Sequence, residues 1–319
     1  MPSKDNSVAS CAQQILTQVK TVVVGKDPVL LWVLAAILAR GHILLEDIPG
    51  VGKTTMALAF ARTLGLDSRR VQFTSDTMPS DIIGFSLYNK ETGRFDYKSG
   101  AVMTNLLLAD EINRTSSKTQ SALLEAMEEY QVTVDGHTYP LPKPFVVLAT
   151  QNPVGSAGTQ LLPSSQLDRF MIRTTMGYPD RQSQVDILRE RHHENPLDRL
   201  QGVVTCEELL ELIESTKQVH IADAVYDYIV DLVDATRSSE LVELGVSPRG
   251  ALALCRMAKA HAFVRGGDFV TPEDVYQVFD DVCAHRLVLS AKARLGKITA
   301  REITEQLRQQ VPVPQVAQL

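Results

Sequence analysis

The segment 47–55, Asp-Ile-Pro-Gly-Val-Gly-Lys-Thr-Thr, constrains what this chain can fold into more than any other stretch. It follows an apolar run at 43–45 that suits a buried strand, and it precedes a run at 56–64 with helical spacing. Two glycines and a Lys-Thr pair between a strand and a helix favour a loop whose backbone N–H groups surround phosphates. In such a loop Lys53 reaches the β- and γ-phosphates, and the Thr54 hydroxyl is a ligand for Mg²⁺.

One residue of this loop departs from the strict pattern G-x-x-x-x-G-K-[ST]. The chain has Asp47 where that pattern has glycine. On its own the loop therefore indicates phosphate binding only loosely, and its meaning depends on the motifs that follow it.

Short apolar runs predict the strands of one sheet. Helix-like segments separate most of them, and this alternation predicts an α/β fold with a parallel sheet flanked by helices. Ligands of such sheets bind at the carboxyl ends of the strands, which is where the phosphate loop begins. The predicted strands are Ile43–Glu46, 70–73, 106–109, 145–149 and, as a fifth candidate, 171–175.

Two insertions and a helical C-terminal part complete the organisation. The segments 84–97 and 131–139 predict hairpins, the second around Asp-Gly at 135–136. From 205 onward nearly every segment has helical spacing, with N-cap signatures at Thr205 and Thr271. We therefore predict an α/β nucleotide-binding core with an N-terminal helix and both hairpins over 1–194, and a helical domain over 195–319.

Composition narrows the class of protein. The chain has 319 residues, of which 44% are hydrophobic and 22% charged, and its net charge of −6 argues against an electrostatic nucleic-acid binder. Its four cysteines include no C-x-x-C pair, which argues against a zinc or redox motif. The longest apolar run, 29–39, is shorter than the roughly 20 residues of a membrane span, and the N-terminus lacks a signal-peptide pattern. A cytoplasmic location is the prediction.

Polar residues follow two of the predicted strands. Asp110 and Glu111 end an apolar run, where Asp110 would hold Mg²⁺ through water and Glu111 would polarise the water that attacks a γ-phosphate. Asn152 follows the next strand and could orient that water. The alternatives are an ordinary acidic strand end and an Asn-Pro turn, but the phosphate loop upstream favours the catalytic interpretation.

Two arginines are candidates for contact with phosphates. Arg169, in Leu-Asp-Arg-Phe, could act as an arginine finger on a nucleotide of another subunit, or it could be a solvated charge. Arg249 opens a predicted helix, where a cation is mildly unfavourable, and could bridge the domains through the phosphates. Arg173 is a second candidate for the finger, and Arg114 is a candidate for an interface.

The order of these motifs resembles the AAA+ ATPases and, more narrowly, the MoxR family. The resemblance runs from about residue 23 to residue 289. That family commonly has aspartate at the position of Asp47, and it also shares Ala-Asp-Glu-Ile-Asn-Arg at 109–114 and Gln-Asn-Pro at 151–153. It implies a P-loop AAA+ core with a parallel sheet flanked by helices, and a smaller all-α lid domain.

The resemblance also assigns roles to residues. Lys53 and Thr54 correspond to the Walker A pair, and Asp110 and Glu111 to the Walker B pair, with Thr54 and Asp110 as Mg²⁺ ligands. Asn152 corresponds to sensor 1, Arg169 to the trans-acting finger and Arg249 to sensor 2. The cofactors are ATP and Mg²⁺. The implied nucleotide-binding residues are Val24, Gly25, Pro49, Gly50, Val51, Gly52, Lys53, Thr54 and Thr55.

Partners follow from the same resemblance. Members of this clade usually form hexameric rings in which a neighbour's arginine completes each site, and the two hairpins match the helix-2 insert and the pre-sensor-1 insert. MoxR-like proteins act as chaperones that mature or activate client protein complexes, often with a von Willebrand factor A domain protein. ATP-driven remodelling of a protein complex is thus the predicted function.

Three alternatives stay open. A nucleic-acid motor needs surplus cations, but the hairpin at 131–142 has no Lys or Arg. A metal-chelatase motor subunit would use the same ATPase chemistry on another client. A nucleotide-gated scaffold without hydrolysis is disfavoured by Glu111 and Asn152. The other hairpin, at 84–98, also gives a nucleic-acid motor little support, because its cations Lys90, Arg94 and Lys98 are offset by Glu91 and Asp96.

Overall fold

The computed structural model describes residues 4–48, 50–152, 162–190 and 196–314. Its helices are α1 Lys4–Lys20, α2 Asp27–Leu38, α3 Lys53–Thr63, α4 Pro79–Ile83, α5 Ser117–Glu129, α6 Ser164–Leu167, α7 Arg181–Glu190, α8 Cys206–Lys217, α9 Asp223–Ser238, α10 Pro248–Val264, α11 Pro272–Cys283, α12 Ala291–Leu295 and α13 Ala300–Gln310. Its strands are β1 Ile43–Glu46, β2 Ser68–Gln72, β3 Gly84–Asn89, β4 Arg94–Ser99, β5 Leu106–Asp110, β6 Gln131–Val134, β7 His137–Pro140, β8 Val146–Gln151, β9 Ile172–Thr174, β10 Val242–Leu244 and β11 Val288–Leu289.

The five strands predicted from apolar runs form one parallel sheet in the order β2-β5-β8-β1-β9. The predicted α/β class with a parallel sheet is thus confirmed. Because all five strands run the same way, the sheet has an amino edge, where the strands begin, and a carboxyl edge, where they end. The phosphate loop leaves β1 at the carboxyl edge.

Helices cover both faces of this sheet. Successive side chains of a strand point to opposite faces, so Ile43 and Leu45 join one core with α1, α2 and α3 while Leu44 joins a second core with α5. Strands β5 and β8 are buried along their whole length, as expected for strands with helices on both sides.

Strand β2 differs from the other strands because it lies at the border of the sheet. Its Ser-Arg-Arg start is exposed, and the structure begins this strand two residues before the predicted 70–73. Charged side chains on a border strand oppose pairing with another chain. This composition explains why an apolar pattern located only the second half of β2.

Two antiparallel hairpins, β3–β4 and β6–β7, extend from the second core. They contact each other through Tyr97 and Tyr139, whose rings stack with centroids 3.9 Å apart. The β3–β4 hairpin leaves four large apolar side chains mostly exposed: Phe85, Leu87, Tyr88 and Phe95.

The C-terminal part is helical, as the spacing predicts, with one small β10–β11 pair. Capping boxes start α8 at Thr205 and α11 at Thr271, because each threonine and the acid three residues later satisfy each other's backbone N–H. Helix α10 packs on α2, so this part shares the first core with the N-terminal helices. The predicted boundary at 194–195 falls in 191–195, outside the described residues, and stays a proposal.

Within the described part of the chain, no helix is both long and apolar enough to cross a bilayer.

Candidate functional site

The loop predicted to hold phosphates has the backbone of a cradle. Gly50 and Gly52 have φ values of 86° and 97°, and a Cβ on either would meet no atom within 4 Å. Left-handed backbone rather than crowding therefore requires glycine at both positions. Gly52 is the N-cap of α3, so the first N–H groups of that helix have no intrahelical acceptor and face the loop. Pro49, a predicted nucleotide-binding residue, lies outside the described residues.

Lys53 lies within the curve of this loop. Its ammonium donates to the carbonyl oxygens of Asp47 and Ile48, at 2.9 and 3.1 Å. Burial lowers the pKa of Lys53, and the carboxylates of Asp47, Asp110 and Glu111 act in the opposite direction. The lysine is thus oriented by the backbone and surrounded by acids that favour its charged form.

Asp47, the residue that breaks the glycine pattern, has a structural role. Its buried carboxylate accepts hydrogen bonds from the backbone N–H groups of Met176 and Gly177, the latter at 3.2 Å. Its own N–H donates to Gln151 O at 3.2 Å. The aspartate therefore fixes the phosphate loop to β8 and to the segment that follows β9.

The Asp–Glu pair lies at the same edge of the sheet. Asp110 is buried, accepts a hydrogen bond from the Thr150 hydroxyl at 3.2 Å and pairs with Arg70 Nε at 2.7 Å. Glu111 has a φ of 57°, and its backbone N–H donates to the Thr150 hydroxyl at 2.9 Å. A positive φ is uncommon for a non-glycine residue. Neighbouring strands β2, β5 and β8 thus converge on these acids.

The Glu111 carboxylate is held at both oxygens. Asn152 Nδ2 donates to one oxygen at 3.1 Å, and Arg114 donates to the other at 2.9 Å. Asn113 in turn fixes Asn152, accepting its N–H at 3.3 Å and donating to its carbonyl oxygen at 3.2 Å. The structure therefore joins predicted residues Glu111 and Asn152 directly, and it places Arg114 on the same carboxylate.

Val24 and Gly25, two of the predicted nucleotide-binding residues, precede α2 and lie near the loop. Val24 lines a small cleft with Gly52 and Thr55, and Val51 lies in the same lining. A Cβ on Gly25 would lie 2.2 Å from Ser183 Oγ, so only glycine lets α7 approach this closely. The cleft opens beside the N-terminus of α3.

The donor chemistry fits Mg²⁺. Thr54 is the second residue of α3 and offers a hydroxyl oxygen, and Asp110 offers a carboxylate, one oxygen of which pairs with Arg70. Magnesium usually takes one or two protein oxygens and completes its shell with water and substrate phosphates. Among the described residues, no group of three or more His, Cys, Asp or Glu side chains is arranged to hold a metal ion.

Arg169 and Arg249 lie together at the amino edge of the sheet. Both line a cleft with Gly41 and His42, which immediately precede β1. Arg169 pairs with one oxygen of Glu128 at 3.1 Å, and Arg249 pairs with the other. The four residues of β1 separate this edge from the phosphate loop by about 13 Å at ~3.3 Å per residue. The structure thus brings the two arginines to each other and not to their own phosphate loop.

Arg173, the second candidate for the finger, lies elsewhere. It is part of β9, and its guanidinium pairs with Glu46 at 3.5 Å, at the carboxyl end of β1. Its contact is therefore with the strand that leads into its own chain's phosphate loop.

A buried arginine that the sequence analysis missed connects the two arginine-bearing segments. Arg286 pairs with Asp168 at 2.7 Å and donates to Phe170 O at 2.7 Å. The other oxygen of Asp168 accepts from Ser247, the N-cap of α10, at 3.2 Å. These contacts, the Arg286 brace, hold the loop of Arg169 against the helix of Arg249. In the sequence, Arg286 could have been noticed as a charged residue within the apolar run 282–289.

Comparison with known proteins first shows which class of protein the chain belongs to. Residues 42–172 match the family described as ATPase family associated with various cellular activities (AAA), and residues 234–307 match the AAA lid domain. The chain is accordingly an AAA+ ATPase, an enzyme that binds nucleotide and hydrolyses ATP.

Relatives narrow the class. The chain is 39% identical to chaperone MoxR1 of Mycobacterium tuberculosis, over 95% of this chain and 82% of that protein. It is 46% identical to the uncharacterized protein YeaC of Bacillus subtilis, over 93% and 92% of the two chains. A crystal structure from Cytophaga hutchinsonii superposes with a TM-score of 0.91 at 39% identity, covering 98% and 97% of the two chains. The chain belongs to the MoxR family of AAA+ ATPases.

Proposed function

We propose that this chain is a chaperone-type ATPase that works as a ring, in which Arg169 and Arg249 of one copy complete the ATP site of the next. One observation carries the proposal: both arginines lie at the amino edge of the sheet, whereas their own phosphate loop lies at the carboxyl edge. Since neither can reach its own phosphates, a second copy of the chain is the natural recipient.

Within one copy, the carboxyl edge binds the nucleotide. Lys53 and the N-terminus of α3 hold the phosphates, and Val24 and Gly25 border the adenine side. Thr54 and Asp110 hold Mg²⁺, which neutralises charge on the β- and γ-phosphates when bound. Glu111 polarises the attacking water, and Asn152 keeps that carboxylate aimed at it, as its 3.1 Å hydrogen bond supports.

From the neighbouring copy, arginine stabilises the charge that develops during hydrolysis. An arginine finger raises the rate of phosphoryl transfer by roughly 10³–10⁵-fold. Arg169 has this role in our proposal because Arg173 pairs with Glu46 at the other edge. Arg249 acts beside it, as a second cation on the same phosphates.

The work done by hydrolysis is remodelling of a client protein complex by a hexamer, together with a von Willebrand factor A domain partner. The name of the relative chaperone MoxR1 supports the chaperone class. The β3–β4 hairpin supports a protein client rather than a nucleic acid, because it exposes four large apolar side chains and its cations are offset by Glu91 and Asp96. The cytoplasmic location stays a prediction.

Two substitutions test the site. We expect Lys53→Ala to lose nucleotide binding, because the buried ammonium between loop and acids is gone. We expect Glu111→Gln to bind ATP as the unaltered protein does but to hydrolyse it at least 100-fold more slowly, since an amide cannot polarise water. Fluorescent-nucleotide titration and phosphate release measure the two steps.

Exposed Glu129 offers a matched control, since Glu129→Gln makes the same chemical change outside the site and should leave both steps unchanged. Robust hydrolysis by Glu111→Gln would overturn the assigned base. The same variant, loaded with ATP, serves as a trap whose co-purified proteins identify the client complex.

A further inference from the structure

Glu128 lies between the two arginines of the amino edge. One of its carboxylate oxygens pairs with Arg169 and the other with Arg249. The Glu128 side chain is 31% exposed, and the side chains of Arg169 and Arg249 are 29% and 46% exposed, so the cluster is accessible from solvent without being fully solvated. No motif singled out Glu128, and neither family match assigns it a role.

The double ion pair has a clear physical effect. Two guanidiniums close together repel each other, and partial burial weakens the solvent screening between them. A carboxylate with one oxygen for each arginine cancels this repulsion and fixes the spacing of the pair. Without the carboxylate, two long side chains with many rotamers would separate.

The carboxylate leaves both arginines able to bind phosphate. A guanidinium has five N–H donors, and Arg169 and Arg249 each engage Glu128 through one terminal nitrogen. No other described residue accepts a hydrogen bond from these two guanidiniums, so their remaining donors are available to the oxygens of a triphosphate on a neighbouring copy. Glu128 therefore does not have to be displaced when the site forms.

The position of Glu128 is itself fixed by the core. It lies in the last turn of α5, and the preceding carbonyl, Met127 O, accepts a hydrogen bond from buried His42 Nε2 at 3.0 Å. On the other side, the Tyr130 hydroxyl donates to Arg40 O at 3.2 Å. Both anchors precede β1, so the sheet determines where the carboxylate lies.

We propose that Glu128 is a positioning residue that holds Arg169 and Arg249 as one two-arginine unit for the ATP site of the neighbouring copy. The inference rests on the proposed function, since it assumes that these arginines act across the subunit interface. It adds that hydrolysis depends on a carboxylate that touches no nucleotide.

Mixing of variants tests this directly. Lys53→Ala lacks its own nucleotide site but keeps its arginines, whereas Arg169→Ala keeps its nucleotide site but lacks the finger. Their mixture rebuilds intact interfaces, so its ATP turnover should rise well above that of either variant alone. This reference mixture tests the proposed function by itself, and failure to restore turnover would overturn it.

Glu128→Gln, a nearly isosteric change, should lower kcat at least tenfold and leave KM for ATP within about twofold. Mixed with Lys53→Ala it should regain turnover to the level of the reference mixture, because the defect lies on the arginine side. Mixed with Arg169→Ala it should stay inactive, since no interface then has an intact arginine unit.

The reverse pattern, rescue by Arg169→Ala and not by Lys53→Ala, would overturn the inference while the reference mixture still supports the proposed function. Unchanged turnover by Glu128→Gln alone would also overturn it. Glu129→Gln, one residue further along the same helix, is the matched control and should behave like the unaltered protein, both alone and in each mixture. A thermal unfolding curve like that of the unaltered protein shows that Glu128→Gln is folded.

Discussion

His42 is a buried histidine with both ring nitrogens engaged. Nε2 donates to Met127 O at 3.0 Å, and Nδ1 accepts the N–H of Val147 at 3.0 Å. This arrangement requires the neutral ring, because a proton on Nδ1 would face another donor. Burial lowers the pKa of His42 to about 4, and nearby Arg256 acts in the same direction.

The pKa of His42 predicts a loss of stability in mild acid. The unfolded histidine takes up a proton near pH 6.5 and the folded one only near pH 4, so stability falls as the pH drops through that interval. From pH 7 to pH 5 the loss from this residue is about 2 kcal/mol. Between pH 7 and pH 5 we expect His42→Gln to lose about 2 kcal/mol less stability than the unaltered protein loses. Urea unfolding at both pH values measures this difference.

The test compares the loss of stability in acid between His42→Gln and the unaltered protein, because other groups also contribute to that loss. Buried His285 also has its pKa lowered well below the ordinary value, so it destabilises both proteins in acid. Equal losses between pH 7 and pH 5 in His42→Gln and the unaltered protein would contradict the assignment.

At the scale of elements, the Arg286 brace joins the loop before β9 to α10. Arg286 is almost fully buried and uses its planar fork on Asp168 and on the carbonyls of Phe170 and Met171. A lysine has no such fork and would leave some of these acceptors unpaired. The brace should therefore contribute to folding as well as to the placement of Arg169.

We predict that Arg286→Lys lowers the free energy of unfolding by about 2–4 kcal/mol, because buried acceptors lose their donors. The matched control is Arg294→Lys, whose ion pair with Glu243 is exposed on both sides and should be worth no more than about 0.5 kcal/mol. Urea unfolding measures both. A similar small effect for the two variants would show that the brace does not stabilise the fold.

The elements differ in how far the sequence predicts them. Strands β5 and β8 are continuous apolar runs and were located within one or two residues, because burial on both faces leaves a clear signal. Strand β2 was half located, because its exposed start is charged. The order β2-β5-β8-β1-β9 was not predicted, since it depends on pairings between distant parts of the chain.

In the candidate site, too, the sequence predicts local motifs but not contacts between distant parts of the chain. Glycines, lysine and the Asp–Glu pair are local motifs, and the sequence identifies them directly. The role of Asp47 depends on the N–H groups of Met176 and Gly177, more than a hundred residues away. Glu128 looks like any glutamate on a helix surface, and only the fold brings it to Arg169.

At the scale of the whole molecule, the two groups of predicted site residues lie at opposite edges of one sheet. The carboxyl edge has the phosphate loop and the acids, and the amino edge has the arginine unit. The shared site that we propose would make copies associate head to tail, and repetition of that contact closes a ring if the rotation permits.

We therefore predict that ATP turnover per subunit rises with protein concentration, because each active site needs two copies. Arg169→Ala should bind nucleotide normally and show low turnover at every concentration. Phosphate release across a dilution series, with mass measurement in the presence and absence of ATP, checks both points. Constant turnover by a protein that stays monomeric would contradict the shared site.

The four-residue length of β1 has a genetic consequence. In the shared site that we propose, an altered arginine edge would harm the adjacent copy and spare the one that carries the change, because β1 keeps a copy's arginines away from its own phosphates. In a cell that makes both normal and altered chains, normal subunits would be inactivated by their neighbours. We expect such alleles to be dominant, whereas alleles that only unfold the chain would be recessive.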